Sequence, residues 1–235
     1  MVIEILFNES CNLHGDGENV TYLQKSLPKA TFVFTNITQE PYFVKNKPNI
    51  IYIGSMSEAI QRRVIATLKP YTNRIKELIE DDVVFLATGN AGEIFTKKIE
   101  YVTEKIEVEG LGIIDAITKT NFFDRYNGKV LGEAEKIRVI GFRSQFSFMY
   151  GDNTNNYFIK CNRGIGINKE SQLEGFRYKN LIITQLIGPL LPLNPLLTEK
   201  IIELTGEKHR AAFREEALDA FWYHLKEFEN PATKF

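Results

Sequence analysis

The sequence is poor in the residues that nucleophilic and metal chemistry most often use. Its 235 residues include two cysteines, Cys11 and Cys161, and three histidines, His14, His209 and His224. Cysteines so few and so far apart build neither a disulfide framework nor a thiolate zinc site, and the histidines show no ligand spacing. No metal or other cofactor is therefore expected, and a reducing cytoplasm is the default compartment. Charge of one sign is also lacking: Lys+Arg 29 against Asp+Glu 30 leaves a net charge of −1. That balance gives no electrostatic footprint for nucleic acid or an anionic membrane. Long apolar runs are missing too. The longest tract, Leu181 to Leu197, is broken by Gln185, Asn194 and three prolines, so it cannot span a bilayer. The opening "MVIEILF" carries an acidic residue and reads as a strand rather than a signal peptide. Internal repeats, low-complexity tracts and linkers are absent, which favours one domain over the whole chain.

What is present is an alternation of strands and helices. Val2–Phe7 reads as a strand, followed by the polar loop "NESCNLHGDG" and a helix from about Glu18 to Ser26. Thr31–Ile37 and Asn49–Gly54 are the next strands. Ser57–Glu80 is helical, with Ile60, Val64, Leu68, Ile75 and Ile79 on one face and a kink or split at Pro70. Val83–Ala87 is wholly apolar, as a strand buried on both faces must be. The pattern predicts an α/β fold with a mainly parallel central sheet flanked by helices. In the second half, "GIIDAITKT", "KVLGE", "KIRVIGFRSQFSFMY" and "NYFIKCN" read as antiparallel strands, an insertion in that sheet. The alternation of Phe142, Ser144, Phe146, Phe148 and Tyr150 fits one half-buried strand. "NLIITQL" reads as a further central strand, with Thr198–Leu204 and His209–Glu227 as closing helices.

The stretch "VVFLATGNAGEIF" is the centre of interest. A buried strand runs into small residues at a sharp reversal (Thr88, Gly89, Asn90, Ala91, Gly92), and Glu93–Lys98 reads as the start of a helix. This is the layout of a nucleophile elbow, which holds one side chain at the carboxyl end of an α/β sheet. The residue placed on display is Thr88.

Several stretches in order along the chain resemble the class I glutamine amidotransferases of the cobyric-acid-synthase type. They are most like the amidotransferase subunits of lipid II isoglutaminyl synthases, cell-wall enzymes in which the subunit works beside a Mur-ligase-like synthetase. "NLHGDGENV" is similar to the family's N-L-Y-G-D-x-G-N, "IIYIGSMSE" stands where a strand meets G-G-G-S, and "EGLGIID" matches E-G-L-G-I-L-D. "VIGFRSQ" takes the place of G-F-E-N-H, and "ITQLIGPLLPLNP" that of G-T-Y-L-H-G-P-x-L-P-x-N-P. The resemblance implies a flavodoxin-like sheet and a glutaminase site. It also implies that this site is degenerate. The family's elbow reads C-G-G-x-Q, and aligning its cysteine with Thr88 leaves no thiol; its base histidine falls on Ile187, and its oxyanion loop is reduced to Gly54, Ser55, Met56 and Ser57. A threonine hydroxyl needs a strong base within hydrogen-bond reach, and isoleucine supplies none. The expectation is a pseudoenzyme with no glutaminase activity and weak or no glutamine binding. Its pocket would be formed by Gly54, Ser55, Thr88, Gly89, Asn90, Gln145 and Ile187. It would act as a binding subunit whose interface uses the rim Tyr150–Asn156 or the "GPLLPLNP" loop.

One alternative keeps chemistry. Cys11, His14 and Asp16 place a thiol, a base and an orienting carboxylate within six residues, on a loop expected beside the elbow. An active amidotransferase or hydrolase with a displaced nucleophile would need Cys11 and His14 within hydrogen-bond reach. Otherwise Asp16 and Gly17 form the turn into the first helix and His14 packs.

Overall fold

The computed structural model describes all 235 residues. Four strands and three helices lay down the parallel layer first: β1 (Val2–Leu6), α1 (Gly17–Ser26), β2 (Thr31–Thr35), β3 (Ile50–Ile53), α2 (Glu58–Leu68), α3 (Thr72–Glu80) and β4 (Val84–Thr88). Ser57 caps α2, its hydroxyl accepting from Ile60 N. Pro70 does split the expected long helix: it sits in a 3-10 turn, Lys69–Tyr71, between α2 and α3. A ring in place of an N–H cannot continue the α-helical ladder.

The insertion, antiparallel except for the parallel pair β5–β7, follows as β5 (Lys98–Tyr101), β6 (Ile106–Glu109), β7 (Ile117–Thr120), β8 (Tyr126–Ala134), β9 (Ile137–Gln145), β10 (Ser147–Tyr150), β11 (Ile159–Arg163) and β12 (Leu173–Glu174). The chain then returns to the main sheet with β13 (Phe176–Tyr178) and β14 (Leu181–Thr184), and closes with α4 (Leu190–Leu193), α5 (Pro195–Glu203) and α6 (Arg214–Glu229). The main sheet runs β13-β14-β4-β3-β1-β2, parallel except for the edge strand β13. Two smaller sheets, β10-β7-β5-β6 and β12-β11-β8-β9, form the insertion. Every residue of β3, β4 and β14 is buried, as strands covered on both faces require. The two largest apolar clusters lie on opposite faces of this sheet, since alternate residues of one strand divide between them: Phe85 and Ala87 in one, Val84 and Leu86 in the other. No helix is long and apolar enough to cross a membrane.

Four expectations are corrected. The turn after β4 is followed by no α-helix: Gly89–Phe95 is a 3-10 segment, and Lys98 already belongs to β5. Thr96 ends the segment by donating its hydroxyl to Glu93 O (2.7 Å), after which Lys97 N bonds Ala116 O (2.8 Å) and draws the chain into a sheet. The stretch "FRSQFSFMY" is two strands in different sheets, bent at Phe146, where Asn121 N binds the Phe146 carbonyl (2.8 Å). Its supposed single face is therefore divided: Phe142 is exposed, whereas Phe148 is buried. Residues 209–213 are loop rather than helix, tied down where Glu199 accepts from Ala211 N (3.0 Å) and from Arg214 Nε (2.7 Å). Finally, the "GPLLPLNP" segment is no apolar surface: Leu190 and Leu191, in the first turn of α4, are fully buried.

Candidate functional site

The carboxyl ends of β1, β3, β4 and β14 deliver four loops to one place, where open α/β sheets bind ligands. The loops meet closely. At Gly54, after β3, a Cβ would lie 2.5 Å from Cys11 O and 2.7 Å from Asp16 Cβ, so only glycine fits. Beside this junction lies a cavity of about 220 Å³. Ser55, Gly89, Asn90, Gln145 and Ile187 line it, as do Glu93, Ser147 and Gln185, with His14, Glu58 and Arg125 also contributing. Gly54 and Thr88 do not.

Thr88 is not the residue on display. It has extended dihedrals (φ −107°, ψ 150°) and no exposed surface. Its hydroxyl turns beneath the turn and donates to Asp16 Oδ1 (2.8 Å), 3.0 Å from the Tyr52 hydroxyl. The positive φ of the turn belongs to the next residue, Gly89, at +59°. Gly89 is thus the apex, and it carries no side chain. Anchoring the family's C-G-G-x-Q on the apex puts Gly89 at the cysteine and Glu93 at the glutamine. The volume above the apex is filled: a Cβ on Gly89 would meet Ser55 Cβ at 2.7 Å and Ile187 Cγ2 at 3.0 Å. Gly89 N donates to Leu186 O (3.3 Å), so the loop carrying Ile187 is fastened directly over the turn.

The loop after β3 is equally committed. Met56 N donates to Asn90 Oδ1 (2.9 Å) while Asn90 Nδ2 donates to Met56 O (2.7 Å). A backbone N–H held in this way is not free to receive an oxyanion.

Asp16 begins α1 but its side chain does not cap it. Asn12 Oδ1 takes Gly17 N (2.7 Å) instead. The buried Asp16 carboxylate accepts from Ser55 N (3.1 Å), from the Ser55 and Thr88 hydroxyls, and lies 3.2 Å from Tyr52 Oη. Asn19 Nδ2 donates to Tyr52 Oη (2.9 Å) and completes the knot. The ends of β1, β3 and β4, and α1 through Asn19, are pinned at one carboxylate. Asp16→Ala leaves several buried donors unpaired and is expected to cost about 3 kcal/mol or more in urea unfolding. A loss below about 1 kcal/mol would show that the knot is not structural.

With Asp16 so occupied, the Cys11–His14–Asp16 grouping is not assembled. Cys11 is 1% exposed and its sulfur faces Met56 Sδ at 3.8 Å. Burial, with the charges of Glu9 and Asp16, pushes its thiol up to about 12, the wrong direction for a nucleophile. His14 lies at the cavity wall and hydrogen-bonds to neither residue. His209 and His224 lie near acidic side chains at the surface, beside Glu207 and Glu227.

The sequence reading missed the buried polar groups that make the cavity. Glu93 is 1% exposed, and burial raises its carboxyl to about 7 against hydrogen bonds from Ser147 Oγ and Gln61 Nε2 (2.9 Å) that lower it. Arg143, in the stretch matched to G-F-E-N-H, is also buried; its guanidinium donates to Ile165 O (3.0 Å), Gly166 O, Gln145 Oε1 (2.9 Å) and Gln185 Oε1. Burial lowers its pKa, and the nearby Glu174 carboxylate opposes the shift. The motif's own glutamine position was the available signal for Glu93. A strand-period reading of 142–150 would have pointed Arg143 inward with the odd-numbered face.

Comparison with known proteins agrees with this architecture. No family profile matches the chain. The crystal structure of a glutamine amidotransferase is similar with a TM-score of 0.58 at 14% identity, covering 88% of this chain and 100% of that one. The structure of PurLQS from Thermotoga maritima is similar at 0.54 and 11%, covering 95% and 98%. A Thermotoga maritima glutamine amidotransferase gives 0.53 and 11%, over 95% and 92%. The fold is therefore an α/β fold of the kind these glutamine amidotransferase structures have, with a mainly parallel sheet flanked by helices. In sequence the chain is a distant homologue of GatD, a subunit of the glutamine-hydrolysing lipid II isoglutaminyl synthase. The Staphylococcus aureus protein is 28% identical over 225 residues, 93% of this chain and 90% of that one. GatD of Streptococcus pneumoniae is 23% identical over 207 residues, 86% and 79% of the two chains.

Proposed function

We propose that this protein is a glutamine-amidotransferase-like subunit that has given up glutamine hydrolysis and serves by binding, docked on a Mur-ligase-like amidating synthetase in the cytoplasm. The whole chain is read as one such domain, of the cobyric-acid-synthase type. One observation carries the reading: the apex of the turn is Gly89, and Ser55 and Ile187 occupy the space in which a nucleophile's side chain would begin. The catalytic cysteine and histidine are both replaced, and the Met56 N–H is tied to Asn90. Removing nucleophile or base alone costs about a million-fold in turnover in a worked protease case. That the two relatives are subunits of lipid II isoglutaminyl synthases supports docking as the property retained. Of the two interfaces expected from sequence, the Tyr150–Asn156 rim has the more open surface, with Tyr150 exposed; it is the proposed contact.

The test is ammonia release from glutamine, by the isolated protein and by whatever synthetase co-purifies with it from its own cells. No release above buffer in either case, together with a stoichiometric partner, is expected. Release that depends on this chain would overturn the pseudoenzyme reading, and a chain recovered without any synthetase would overturn the docking.

A further inference from the structure

The cavity contains an acid, Glu93, that no cationic side chain contacts, although the Arg143 guanidinium acts on it from a distance. Glu93 receives hydrogen bonds from Ser147 Oγ and Gln61 Nε2, both uncharged. Tyr101 Oη donates to Gln61 Oε1 (2.8 Å), which fixes the amino end of Gln61 on the carboxylate. Two of a carboxylate's roughly four acceptor positions are thereby used. Arg143, the buried cation of this region, spends its donors on Ile165, Gly166, Gln145 and Gln185. Beside Glu93 stands a second unsatisfied group. Gln185 is 2% exposed and its Oε1 is taken by Arg143; its Nε2 is directed at the Glu93 carboxyl and favours the charged form there, but no acceptor meets it with full hydrogen-bond geometry. Buried polar atoms are rarely left without partners unless something outside the chain supplies one.

Both groups line the same cavity, and their chemistry is complementary to a particular kind of molecule. We propose that the cavity binds a small protonated primary amine with an adjacent hydrogen-bond acceptor, its ammonium on Glu93 and its acceptor on Gln185 Nε2. A buried carboxylate is costly until paired, and a ligand cation pairs it. A glutamine side chain at position 93 would favour an uncharged ligand group instead, so this one residue sets the charge of what enters. The assignment rests on the reading that the cavity no longer processes glutamine. The two fail separately: ammonia release removes that reading, whereas absence of amine binding removes only this one.

Ethanolamine is the probe, because it carries an ammonium and a hydroxyl acceptor on neighbouring carbons. Ethylene glycol has the same shape without charge, and tetramethylammonium has charge without N–H donors. Titration followed by backbone amide NMR is expected to shift resonances of Asn90, Glu93 and Ser147 with ethanolamine alone. Glu93→Gln is expected to weaken binding about tenfold or more, and Gln185→Leu about threefold. Should Glu93→Gln fail to fold, the wild type still decides. Binding should weaken from about pH 8 to about pH 5.5 as Glu93 takes up a proton. The charged and titratable groups near it are Glu58, Arg125 and His14, which line the cavity, with Arg143 and Tyr101 electrostatically coupled to it. Equal shifts with ethylene glycol, undiminished binding by Glu93→Gln, or no shifts at saturating ethanolamine would each overturn the proposal.

Discussion

Gly89→Cys is expected to lower stability by about 2–4 kcal/mol and to create no glutaminase. Two costs add. A side chain at φ +59° occupies the left-handed region, at about 1 kcal/mol or more. Its Cβ would also press on Ser55 Cβ at 2.7 Å and Ile187 Cγ2 at 3.0 Å, and overpacking of this kind costs about 1–3 kcal/mol. Urea unfolding measures the sum, and an ammonia assay the activity. The companion variant Thr88→Cys behaves differently, because its thiol would enter the Asp16 knot and never reach the cavity. Gly89→Cys folding as stably as wild type would mean that the Ser55 and Ile187 loops move freely, and the closed-site account would be wrong.

Glu93→Gln is expected to stabilise the protein by up to about 3 kcal/mol at pH 8, with the gain shrinking to little near pH 5. The carboxyl titrates near 7 in the fold against a reference value of 4.5, so the folded state holds its proton more tightly than the unfolded chain. Above about 7 the fold carries a desolvated charge and pays for it in full. As pH falls through 7 toward 4.5 the penalty disappears. The amide removes that penalty and keeps the hydrogen-bonding outline. Glu4 and Glu174 are also raised by burial and add pH dependence of the same sign, so the wild-type curve alone does not isolate Glu93. The difference between the two proteins does. Parallel pH profiles would show that Glu93 titrates at an ordinary value.

The main sheet was legible in the residues because periodicity reports burial. Val83–Ala87, Ile50–Ile53 and Leu181–Ile183 are apolar throughout, as strands covered on both faces favour. The Pro70 break followed from the missing N–H. What composition could not show was the register of the turn after β4. Thr88 and Gly89 are neighbours, and a shift of one residue exchanges buried for displayed, as it does in any strand. Only the sign of φ separates them. The 3-10 character of 89–95 was hidden for a related reason: Gly92 packs its bare Cα against Ile183, a tertiary contact that local propensity does not encode. The acid in the cavity escaped notice because Glu93 looked like the first turn of a solvated helix. Its burial comes from Ser147, at the start of β10, which the bend at Phe146 brings across from another sheet.

The contact between positions 89 and 187 also bears on history. Each residue is tolerable because of the other: isoleucine can lie over the turn only while its apex is bare, and the bare apex leaves a space that isoleucine fills. A chain that gained a cysteine at position 89 first would be strained, and one that gained a histidine at position 187 first would have nothing to activate. Neither single step is rewarded. The pair is therefore epistatic, and under the proposed loss of glutaminase activity it would act as a ratchet, the stability of the packing holding both replacements in place.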